Sequence, residues 1–102
     1  MVLMEFSVTP MGQGESVSKY VARCLEIVDR SGLDYRLHSM GTIVEGELHA
    51  VLELLEQCTQ AVATDCPRVS VSAKLDVRQG ASGRLAGKVA SVEKQLGRTL
   101  KK

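Results

Sequence analysis

The spacing of apolar residues in this chain switches from two to three-or-four and back again, twice, and that double switch constrains the fold more than any other feature. Val2, Met4, Phe6 and Val8 alternate with Leu3, Glu5, Ser7 and Thr9, which predicts a strand covered on one face. Pro10 to Gly14 breaks the alternation. Val17, Tyr20, Val21, Cys24, Ile27 and Val28 then recur at helical spacing, with Ser16 placed to cap the helix and Gly32 to stop it. Leu33 to Met40 predicts a second strand, with Leu33, Tyr35 and Leu37 facing inward. Met40-Gly41 predicts a reversal, and Thr42 to Glu45 a short third strand. Leu48, Val51, Leu52, Leu55, Cys58 and Val62 trace a second helix. Arg68 to Arg78 predicts a fourth strand whose inward residues are Val69, Val71, Ala73, Leu75 and Val77. Leu85, Val89, Val92 and Leu96 form a narrow stripe on a C-terminal helix.

The element order is strand-helix-strand, repeated, and then a helix. In an α+β chain of 102 residues this predicts a single domain, residues 1–102, with the split βαβ arrangement of ferredoxin-like folds. Right-handed crossovers place both main helices on one face of a four-stranded antiparallel sheet. Strands one and three take the centre, and strands two and four the edges. Three loops, Pro10 to Ser16, Ser39 to Thr42 and Asp65 to Arg68, then meet at one end of the sheet. The fourth strand is long and lies on an edge, and an unpaired edge invites association with another chain.

Composition removes several functions. Thirteen basic and twelve acidic side chains leave a net charge of +1, which supplies no field for gripping nucleic acid or an anionic membrane. Phe6, Tyr20 and Tyr35 are the only aromatic residues, too few for base stacking. No apolar run approaches the roughly 20 residues of a spanning helix, and the start has no basic leader, so the cytoplasm is the expected location. Cys24, Cys58 and Cys66 lack a C-x-x-C spacing. Cys24 and Cys58 fall on apolar helix faces, as expected of reduced core thiols.

Chemistry is sparse. Gly12-Gln13-Gly14 follows a strand, but Glu15-Ser16 stands where a phosphate loop needs Lys-Ser/Thr, so a flexible turn is expected. His38 and His49 have no partner at metal-ligand spacing, and both read as surface residues. An acylphosphatase-like hydrolase needs a water-positioning asparagine, and the chain has no asparagine. Neither a catalytic residue, a metal nor a cofactor is expected. Glu45 stands out. A carboxylate at the end of a central strand is costly unless paired or hydrogen-bonded, and Arg36, Lys74 or Arg78 across an interface could pair with it.

Three segments carry a resemblance: Ser7 to Ser18, His38 to Glu47 (with Met40-Gly41-Thr42 and Glu45-Gly46 the most specific), and Lys74 to Arg78. Together with Lys88 to Glu93 they resemble the MTH1187/YkoF-like thiamine-binding family, also known as DUF77 or UPF0045. The resemblance implies a homo-oligomer, commonly a dimer of dimers. It also implies non-enzymatic binding of thiamine or its hydroxymethylpyrimidine moiety, linked to uptake or salvage. An aminopyrimidine needs an acceptor opposite its amine and donors opposite its ring nitrogens. Glu45 is the candidate acceptor. Ser7, Ser16, Ser39 and Thr42 are candidate hydroxyl partners, and Met11 and Met40 candidate linings for the ring faces. A Glu45 at the other end of its strand from the loop cluster would make the pocket require an assembled interface. The rival reading is a regulatory or structural homo-oligomer with a protein partner and no thiamine.

Overall fold

The computed structural model describes residues 1–12, 14, 17–80 and 82–101. Its elements run β1 (Val2–Pro10), α1 (Ser18–Arg30), β2 (Asp34–His38), β3 (Gly41–Gly46), α2 (Leu48–Ala63), β4 (Val69–Val77) and α3 (Arg84–Leu96). One antiparallel sheet has the order β2-β3-β1-β4, so β1 and β3 are central and β2 and β4 are edges, as the element order predicts. Met4 lies opposite Val44 on β3 and Leu75 on β4, and this register puts the apolar residues of three strands on one face.

Helices α1 and α2 cover that face. Met4, Val28, Val44, Val51, Val62 and Cys58 are fully enclosed between them and the sheet. Each enclosed aliphatic side chain contributes about 1.5–3 kcal/mol by leaving water. Helix α1 ends at Ser31, whose hydroxyl accepts from the Leu33 N–H at 3.2 Å. Gly32 follows at φ 77°, a conformation that lets the chain turn back into β2 without a Cβ clash. Arg23 on α1 reaches across to Asp65 beyond α2, with Nη2 2.7 Å from the carboxylate, while its Nη1 donates to the Ala61 carbonyl at 3.1 Å.

Helix α3 sits on the opposite face of the sheet. Leu85, Val89 and Val92 lie over Leu3 and Ile43, yet no residue of α3 is fully buried. The outer face is therefore partly roofed by the chain itself.

The structure corrects two expectations. Leu37 projects to the helix-covered face but is 56 % exposed, because α1 does not extend over that end of β2. On β4, Val71 and Val77 are 40 % and 65 % exposed although α2 reaches over part of this strand, because an edge strand has a neighbour on one side only. The expected cap Ser16 lies outside the described residues. Helix α1 starts at Ser18, with Val17 before it and no side-chain capping bond.

Candidate functional site

A cleft of about 210 Å³ opens at the loop end of the sheet, between α1 and the helix-facing side of β1, β2 and β3. Its position follows from how the two helices pack. Helix α2 lies close on β1, whereas α1 touches β1 more lightly and stands off its far end. The residues exposed by that gap are Val17, Val21 and Leu25 along α1, Phe6 and Val8 on β1, and Leu37 on β2. All six are apolar. Val21, Leu37 and Met40 remain 37 %, 56 % and 85 % exposed, so the mouth of the cleft is apolar as well as its wall.

Polar groups enter from the β2–β3 reversal. Ser39, Met40, Gly41 and Thr42 form one side, and Thr42 is buried to 5 % exposure. Gly41 is there for a steric reason: a Cβ at this position would come within 2.8 Å of the Phe6 carbonyl oxygen. Close approach of β3 to β1 thus fixes the floor of the cleft. His38 holds the reversal in shape. Its Nδ1 accepts from the Met40 N–H at 3.2 Å, which leaves the proton of the neutral ring on Nε2, 3.4 Å from the Glu5 carboxylate on the outer face.

Of the residues singled out from the sequence, Ser7, Ser39, Met40 and Thr42 line this cleft. Ser7 does so between Phe6 and Val8, and strand alternation directs its side chain to the other face. Met11 is 39 % exposed at the same end of the sheet, where its N–H donates to the Arg68 carbonyl at 2.9 Å and ties the first loop to the third. Ser16 lies outside the described residues. Glu45 is elsewhere. It stands three positions along the strand from Thr42, about 10 Å at the usual rise, and alternation puts it on the outer face. It is 4 % exposed, and its Oε2 accepts from the backbone N–H of Arg84 at 2.9 Å. Its partner within the chain is the first turn of α3. The Arg84 guanidinium in turn pairs with Asp76 on β4 at 2.6 Å.

Sequence reasoning missed the α1 side of the cleft. Val17, Val21 and Cys24 carry a regular apolar spacing and read as core, since spacing does not show where a helix outruns the sheet beneath it. Cys24, Cys58 and Cys66 are indeed buried and free. Among the described residues, no group of three or more His, Cys, Asp or Glu side chains is placed to hold a metal ion, and no helix is long and apolar enough to cross a membrane.

Comparison with known proteins bears on the family and the fold. The sequence pattern of a family described as "Thiamine-binding protein" matches residues 4–93. A UPF0045 protein of Mycobacterium bovis is 41 % identical over 96 residues, covering 93 % of this chain and 94 % of the relative. The crystal structure of a hypothetical protein of Methanocaldococcus jannaschii superposes with a TM-score of 0.83 at 33 % identity, covering 89 % of this chain and 94 % of the other. A domain of unknown function DUF77 from Bacillus cereus superposes with a TM-score of 0.77 at 31 % identity, covering 86 % of each chain.

Proposed function

The chain belongs to the thiamine-binding protein family, and from that premise we propose that its cleft binds the aminopyrimidine ring of thiamine, or of the free hydroxymethylpyrimidine, without chemical conversion. The observation that carries this reading is the cleft's make-up. A narrow apolar slot of about 210 Å³ has the serine and threonine hydroxyls of the β2–β3 reversal along one side. That volume is below the usual range for sites that engulf a drug-sized molecule, which suits one ring with the remainder of the ligand outside. Val21, Leu25 and Leu37 offer apolar contact to the ring faces, and the exposed Met40 stands at the mouth. The hydroxyls of Ser39 and Thr42 can each donate to a ring nitrogen or accept from the amine. Glu45, anchored to α3 on the other face, is assigned to holding that helix.

The protein is proposed to act in the cytoplasm as a homo-oligomer, a dimer of dimers. In support, β4 presents a nine-residue edge on which Val71 and Val77 are exposed. The same edge favours the second reading, an oligomer that docks a protein and takes no thiamine.

Titration calorimetry with thiamine, with hydroxymethylpyrimidine and with the isolated thiazole part separates the two. Heat and thermal stabilisation are expected from the first two ligands and not from the third. At one hundred times the dissociation constant the stabilisation is about 2.7 kcal/mol. Absence of any shift with both pyrimidine ligands at millimolar concentration rejects the thiamine reading. Sedimentation velocity that finds only single subunits at micromolar concentration rejects the assembly.

A further inference from the structure

We propose that Cys24 and Cys58 form an oxidisable dithiol at the base of the cleft, and that a hydroperoxide entering the cleft converts it to a disulfide bridging α1 and α2. The proposal does not depend on what the cleft binds. Three observations carry it. First, the two cysteines face each other across the helix pair. The Cys24 thiol lies 3.8 Å from the Cys58 carbonyl and the Cys58 thiol 3.7 Å from the Cys24 carbonyl, a reciprocal arrangement that sets the two backbones side by side at this crossing. A disulfide needs such proximity of Cα atoms. Second, Cys24 lines the cleft, whereas Cys58 is completely enclosed behind it. Cys24, 6 % exposed, is thus the member of the pair that a small oxidant in the cleft meets first, and the Cys58 thiol, 3.7 Å from the Cys24 carbonyl, lies beside it to resolve the product. Third, the proximity of the two cysteines lowers the pKa of Cys24, whereas the same proximity together with burial raises that of Cys58. The thiolate is the reactive form of a cysteine, so the asymmetry makes Cys24 the attacking sulfur.

The chemistry balances with hydrogen peroxide as the sole co-reactant. The Cys24 thiolate attacks one peroxide oxygen. An S–O bond forms, the O–O bond breaks, and the departing hydroxide takes up the thiol proton as water, leaving Cys24 as a sulfenic acid. The Cys58 sulfur then attacks the Cys24 sulfur. An S–S bond forms, the S–O bond breaks, and hydroxide leaves with the Cys58 proton as a second water. Two thiols lose two electrons, and the peroxide gains them. Cys66 is buried beyond the end of α2, outside the cleft lining, and serves as an internal control.

The test uses the folded wild-type chain, treated with hydrogen peroxide and then digested without reductant. The expected result is a cross-linked peptide pair joining Cys24 to Cys58 with a loss of two hydrogens, formed at least about tenfold faster than any oxidation of Cys66. Cys58→Ser is expected to stop at the sulfenic acid, captured by dimedone on Cys24. Oxidation of Cys66 at the rate of Cys24 or faster overturns the proposal. So does a folded chain in which Cys24 remains reduced while the urea-unfolded chain oxidises readily. Because both of these readouts come from the wild-type protein, a folding defect in the variant leaves the result decisive.

Discussion

Replacing Glu45 by alanine is expected to release α3 while leaving the rest of the fold in place. Helix α3 is weakly held by packing: none of its 13 residues is fully buried, and the Gly83 before it provides no side-chain capping bond. An isolated helix of this length is marginal in water, so its persistence depends on docking. The bond from the Arg84 N–H to the Glu45 carboxylate, 2.9 Å long and shielded at 4 % exposure, therefore acts as a cap delivered from the sheet. A hydrogen bond to a charged group is worth about 1.5–3 kcal/mol. Loss of about 2 kcal/mol raises the local opening constant of α3 roughly 30-fold, at a factor of ten for every 1.4 kcal/mol. Hydrogen exchange followed by mass spectrometry reads this directly. Amides of α3 should lose protection by that factor, and those of β1, β3 and α2 should keep theirs, since the core on the other face is untouched. Glu45→Gln retains an acceptor and should lose less. Unchanged protection in α3 refutes the capping argument. Protection lost equally in every element refutes the claim that α3 is a separately docked unit.

Three further outcomes follow from the geometry. Gly41→Ala places a methyl group 2.8 Å from a backbone carbonyl that cannot swing away, so a destabilisation of about 1–3 kcal/mol is expected in urea unfolding. A midpoint equal to wild type would show that β3 is free to move off β1. Thr42→Val keeps the volume of a buried cleft residue and removes its hydroxyl. On the ligand reading it weakens pyrimidine binding by roughly 2- to 13-fold, the value of one hydrogen bond at about 0.5–1.5 kcal/mol, and unchanged affinity would exclude Thr42 from the contact. Asp65 has a carboxyl pKa lowered from 3.8, chiefly by its hydrogen bonds from Arg23. A depressed folded pKa stabilises the protein above the ordinary carboxyl value, and that contribution disappears as pH falls through the lowered one. Asp65→Asn should therefore melt below wild type at neutral pH, with the gap closing in acid, and a gap that persists at low pH would assign the stabilisation to something other than charge.

The strand order and the loop cluster were legible because each rests on a local signal. Alternation in Val2 to Thr9 and in Arg68 to Arg78 needs only a covered face, and the βαβ order then sets the neighbours. The cluster of Ser39, Met40 and Thr42 beside the end of β1 follows from that topology alone. What escaped the sequence were quantities set by the lateral placement of helices on the sheet. Val71 and Val77 alternate as faithfully as Val2 and Met4, yet they are exposed, because periodicity reports which face a residue occupies and not whether anything lies above it. The stand-off of α1 from the far end of β1 likewise makes Val21 a cleft wall and brings Cys24, still buried in the core, to line the cleft. Glu45 shows the complementary limit. Its need for a partner could be read from a carboxylate on a central strand. The partner itself is a peptide N–H with no side-chain identity, 39 residues further along, and no residue type could have announced it. The cleft and the α3 anchor therefore stand on opposite faces of the sheet, and ligand binding and α3 docking should respond independently to substitution.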